Sequence, residues 1–201
     1  MEIRAGGASS DDSMQRLTVL VPPPTAGGNS VDWAAASSTY EHAFPDDYRQ
    51  FMASYGQGSF DNFLTVYPPM QEVYPNDRSA TVLGLTADAR STGEEEDFAV
   101  PEQLIGWGLT QDSDLLCWRS VDQDPNRWTT VIWRRQWAPP DSWMEFDCGM
   151  VELLVRYVDR QIEYFSVPGL PYRGSRFLHT RDAQRFRRMR IDPWGPEPVA
   201  G

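Results

Sequence analysis

Four aspartates, Asp112, Asp114, Asp122 and Asp124, come closest in this sequence to a set that could do chemistry. Carboxylates two positions apart in two neighbouring segments are hard oxygen ligands of the kind a cation takes. Their spacing does not fit a calcium loop, which needs glycine at its sixth position and glutamate at its twelfth. Aspartates in such places ordinarily hydrogen-bond their own backbone in turns, and that role is expected of these four. Two cysteines, Cys117 and Cys148, have no zinc-ligand spacing and read as small buried hydrophobes. Two isolated histidines, His42 and His179, cannot build a histidine-rich metal site. The chain contains no G-x-S-x-G, no H-E-x-x-H and no phosphate loop. Tyr55-Gly56-Gln57-Gly58 is too short for a dinucleotide fingerprint and follows a helical pattern where a strand is required. Nothing selects a carboxylate pair for glycoside hydrolysis. The expectation is a chain without cofactor, metal or catalytic residues.

Charge narrows the partners. The net charge of -11 is uneven: from Gly169 to Gly201 seven Arg stand against three acids, leaving +4, so the remainder carries -15. An acidic body disfavours nucleic acid, whose affinity comes from phosphate neutralisation. It favours attraction to a basic protein. The run Glu94-Glu95-Glu96-Asp97 and the turn aspartates Asp112 and Asp114 are the candidate contacts for such a partner. No stretch approaches the ~18 apolar residues of a membrane span, and the first residues lack the pattern of a signal peptide. A cytoplasmic protein with no membrane partner is expected.

The elements that must position these residues follow from periodicity. Residues 1–30 hold Gly-, Ser- and Pro-rich runs and read as a loose arm, with an edge strand as the alternative for Leu17 to Val21. Asp32 can cap a short helix at Trp33. Tyr48, Phe51, Met52 and Tyr55 form one helical stripe after Pro45, and Gly56 ends it. Ser59 to Tyr67 reads as a strand, Arg78 to Arg90 as a helix, and Glu94 to Asp97 as a solvated loop. Short strands with turns between them run from Leu104 to Phe146. Met150, Leu153, Leu154 and Tyr157 make a second helical stripe. The segment 168–201 reads as an Arg-rich tail, separable from a domain over 31–167. Crossover helices between strands are missing, so the fold class is α+β, with a mainly antiparallel sheet and helices on one face or end.

Four blocks together resemble the SUKH (Smi/Knr-type) superfamily. Phe44-Pro45-Asp46-Asp47-Tyr48, with Phe51 and Tyr55-Gly56-Gln57-Gly58, is similar to its opening signature. Leu104-Ile105-Gly106-Trp107-Gly108 through Asp114 to Cys117-Trp118 resembles its middle hairpin. Asp124 to Val131 resembles the next strand, and Phe146 to Leu154 the closing helix. The blocks cover about Asp32 to Phe165. The chain departs from the pattern at Ser113, where relatives often carry glycine, and the Arg-rich tail lies outside it. The resemblance implies a protein-binding module. Many bacterial relatives are immunity proteins that neutralise toxins, often nucleases, and fungal relatives are regulators. It supplies no catalytic residues. It marks Pro45, Tyr48, Gly56, Gly58 and Trp118 as fold determinants, with a positive φ expected at Gly56 or Gly58.

Overall fold

The protein is described by a computed structural model over residues 10–70, 81–165 and 174–195. The chain enters through helix α1 (Ser10–Leu20), whose first turn carries Asp11 and Asp12 at the positive end of the helix dipole. Met14, Leu17 and Val21 fall on one face and are buried in the main core. This corrects the expectation of a loose arm, or of an edge strand at Leu17 to Val21. The segment after α1 is fixed as well. Gly28 N–H and Asn29 N–H donate to the carbonyls of Ala53 (3.0 Å) and Met52 (2.7 Å). Those carbonyls end a helix and have no partner within it.

Asp32 caps α2 (Trp33–Tyr40), accepting from the N–H groups of Ala34 and Ala35. Pro45 opens α3 (Asp46–Ser54), and Tyr48, Phe51, Met52 and Tyr55 are all fully buried. Gly56 follows with φ +72, the left-handed position expected of it. Gly58 has no positive φ; it is needed for close approach, since a Cβ there would lie 2.4 Å from the Leu178 carbonyl oxygen.

The expected strand from Ser59 to Tyr67 is two strands, β1 (Gly58–Phe60) and β2 (Leu64–Val66), paired antiparallel. Asp61 and Asn62 between them have φ 55 and 57, the pair of positive angles that turns a tight hairpin. Next comes α4 (Val82–Glu95), whose expected start at Arg78 lies outside the described residues. Then β3 (Leu104–Thr110), β4 (Leu115–Arg119), β5 (Thr129–Trp133) and β6 (Trp143–Phe146) form a meander, followed by α5 (Met150–Val158). Strand β7 (Phe177–His179) and α6 (Thr180–Arg188) close the described chain.

Among the described residues seven strands form one antiparallel sheet in the order β6-β5-β4-β3-β2-β1-β7. Alternation sorts its side chains. Ile105, Trp107, Leu116 and Trp118 face the main core with α1, α3 and α5. Leu104, Leu115 and Cys117 face a second cluster with Leu85 and Ala89 of α4. Helices therefore cover both faces, where the sequence reading places them on one face or end. Two buried faces explain why β3 and β4 read as unbroken apolar runs without alternation.

The Arg-rich segment is part of this architecture. β7 pairs with β1 (Gly58↔His179, Phe60↔Phe177). The Phe177 ring lies 4.9 Å from Phe60 and 5.1 Å from Tyr55. The Arg181 guanidinium donates to the carbonyls of Gly27 (2.6 Å) and Gly28 (3.1 Å). Within the segment expected to separate after Val167, three residues thus complete the sheet and one of them the aromatic core. No helix among the described residues is long and apolar enough to cross a membrane.

Candidate partner-binding site

The acidic run is built on the end of α4. Glu94 and Glu95 occupy its last turn, Glu96 is its C-cap, and Asp97 follows with φ 54. The solvated loop expected there begins only after the helix. Glu94, Glu95 and Asp97 are exposed, and Glu96 is half-buried. No basic residue in that last turn offsets them, so carboxylates sit at the negative end of the helix dipole, where they are unfavourable. Glu96 accepts a hydrogen bond of 2.6 Å from the Ser142 hydroxyl. This ties the acidic run to the loop 134–142 between β5 and β6.

The β3–β4 turn reaches the same loop from the other side. Asp112 is exposed at its tip. Asp114 is fully buried. Its carboxylate accepts from the Thr110 hydroxyl (2.9 Å), the Arg135 N–H (3.0 Å) and the Tyr164 hydroxyl (3.0 Å). The sequence reading offers Asp114 as a partner contact; its burial and three intramolecular donors correct that. Burial, with Asp114 alongside, pushes the Tyr164 phenol up to about 12. Ser113 adopts φ 68, the conformation a glycine takes without strain.

The other turn aspartates lie at the far end of β4. Asp122 accepts from Asp124 N–H (2.9 Å) and Arg127 (3.1 Å), and these contacts lower its pKa. Asp124 accepts from Asn126 N–H (3.0 Å). The four aspartates thus split into two pairs separated by a strand. Among the described residues no three acidic, His or Cys side chains gather as a metal site would need.

The matched family positions lie inward. The Tyr48 hydroxyl donates to the Tyr67 carbonyl (2.8 Å), and its ring meets Trp118 edge-on at 4.9 Å. Trp118 also touches Phe44, Trp107 and Trp128. Asp47, part of the opening signature, lies beside Tyr48 and is buried. Its carboxylate accepts from Tyr48 N–H (2.7 Å) and, across the fold, from Val151 N–H (3.0 Å) at the start of α5. Burial raises its pKa. It lines a recess of about 80 Å³ with Trp118, Trp128 and Glu152.

Both cysteines are buried free thiols, and burial raises them, Cys148 to about 12. A thiol held protonated is a poor nucleophile. His42 packs between aromatic rings, and burial lowers its pKa. His179 is 2% exposed and lowered to about 4, by burial first and by Arg181 second. Its Nδ1 accepts from Arg181 N–H (2.9 Å) and caps α6.

The loop 134–142 is the part of the site that sequence reading misses. Trp137 is 47% exposed on it. The signal is the run Trp133-Arg134-Arg135-Gln136-Trp137, in which arginines stand between tryptophans, the residue types that carry most binding energy at protein interfaces.

The fold defines the class first: an α+β protein built on one antiparallel sheet, whose acidic groups form no metal-like cluster among the described residues. One family model, described as SMI1-KNR4 cell-wall, matches residues 31–146, more than half of the chain. The chain belongs to this SUKH family. No curated protein and no solved structure matches it.

Proposed function

We propose that this chain is a non-enzymatic, cytoplasmic protein-binding module of the immunity type, which neutralises a toxin by direct binding. Its membership of the SUKH family carries this reading. The acidic rim around an exposed tryptophan supports a basic partner, a nuclease domain being the fitting kind, because complementary charge speeds the encounter and selects against wrong partners. Glu94, Glu95, Glu96, Asp97 and Asp112 are its proposed contacts. A second reading, a regulatory module for an endogenous protein, is favoured by the cell-wall description of the family.

The test is capture from the host of origin with the full chain as bait, then co-expression with the captured protein. Immunity predicts a stoichiometric complex, restored growth and a captured protein of unchanged covalent mass. A covalently altered partner would overturn the non-enzymatic reading. A harmless endogenous partner would favour regulation.

A further inference from the structure

Arg134 is a cation with an unusual setting. The residue is 9% exposed, yet among the described residues its guanidinium has no ion pair and no hydrogen-bond acceptor. Its Nε is both buried and unpartnered. What holds it is aromatic. Its Cζ lies 4.0 Å from the Trp137 ring centroid and 5.4 Å from that of Tyr164. The two rings meet edge to face at 6.4 Å. The nearby Asp114 carboxylate is already engaged by Thr110, Arg135 and Tyr164. The backbone on either side is pinned: Arg134 N–H donates to the Ser142 carbonyl (2.7 Å), and its carbonyl accepts from Trp137 N–H (3.0 Å).

A buried charge without a hydrogen-bonding partner is costly, and proteins ordinarily pair it. An aromatic face stabilises a guanidinium without occupying its N–H edge. That edge matches a carboxylate, which accepts two parallel hydrogen bonds in one plane.

We propose that Arg134, held by Trp137 and Tyr164, is a receptor for a single carboxylate, supplied by an Asp or Glu side chain of the protein partner. Three observations select this occupant. Asp114, buried and bonded to Tyr164 and Arg135, lies beside the site and the chain carries -11, so a doubly charged phosphate or a nucleic acid is repelled where one carboxylate is tolerated. Trp137 stands out from the surface, as suits an anchor presented to another protein. Arg134 shares its loop with the hydroxyl bound to Glu96, so the same partner would meet the acidic rim and the buried cation together. The pairing fixes register: a basic surface carrying one correctly placed acid is accepted, and a uniformly basic one leaves Arg134 unpaired.

The protein partner as the source of the carboxylate rests on the binding-module reading; the carboxylate receptor itself does not, and it is tested without a partner. The full chain, with arginine labelled in 15N, is titrated at constant ionic strength with propionate, propionamide and inorganic phosphate. The Arg134 Nε–H resonance is assigned with Arg134→Lys. Propionate is expected to shift it saturably, at least tenfold more tightly than phosphate, with no shift from propionamide. Trp137→Ala should weaken propionate at least fivefold while the melting temperature stays close to wild type; being half-exposed, that variant serves if Arg134→Lys does not fold. No saturable shift, an equal response to phosphate, or indifference to Trp137→Ala would overturn the proposal.

Discussion

Ser113 holds φ 68 at the turn that sets Asp112 outward and Asp114 inward. A side chain in that region costs about 1–2 kcal/mol, which glycine avoids. Glycine gives back roughly 0.5–1 kcal/mol in unfolded-state entropy. Ser113→Gly is therefore expected to stabilise the protein by about 0.5–1 kcal/mol in a urea melt, and a loss of stability would contradict the left-handed turn. His179 gives a pH-dependent test. Its pKa falls from 6.5 to about 4 on folding. The folded state thus binds fewer protons than the unfolded state between those values, and stability rises with pH across them. The contribution is complete above pH 6.5 and is lost as pH falls towards 4. At ~1.4 kcal/mol per pH unit, the advantage of wild type over His179→Gln should shrink by about 2–3 kcal/mol from pH 7 to pH 4. A gap that stays constant in paired melts would show that His179 is not held neutral by burial. His42 shifts in the same direction and is common to both proteins, so the difference isolates His179.

At the level of elements, the closing strand decides how far the fold extends beyond the matched family region. Phe177 completes an aromatic cluster with Phe51, Tyr55 and Phe60. Phe177→Ala should cost about 3–5 kcal/mol, as for other buried phenylalanines. A chain ending at Val167 should lose more, since β1 then becomes an exposed edge; an unchanged melting temperature in that chain would remove β7 from the core. The α3 and α5 stripes were legible because each presents four apolar residues at i, i+3, i+4 and i+7. Helix α1 was hidden: its stripe of Met14 and Leu17, continued past its end by Val21, is thin and stands among Gly, Ser and Asp. β7 has three residues, too few for alternation to declare itself, and needs β1 to exist. The acidic run was legible as composition. Arg134, Trp137 and Tyr164 were not, because Tyr164 arrives from beyond α5 and only the folded sheet brings it to the loop.

Over the whole molecule, charge and architecture act together. Residues 177–181, within a sequence segment of net charge +4, pack against a body carrying -15. The contacts of Arg181 with Gly27 and Gly28 join the closing segment to the loop after α1, whose Gly28 and Asn29 in turn bond the end of α3. The proposed partner surface is the loop 134–142, where Trp137 is exposed, together with the carboxylates at the end of α4. Exposed charges there steer an encounter more than they hold a complex, and such steering fades as the Debye length falls from ~10 Å at 0.1 M salt to ~3 Å at 1 M. The most direct test is the association rate of the captured partner at those two salt concentrations, for the wild type and for a variant with Glu94, Glu95 and Glu96 changed to Gln and Asp97 to Asn. The account expects association to slow by about tenfold at high salt and to slow in the variant at low salt, with dissociation little changed. A tight complex whose association rate responds to neither would contradict it.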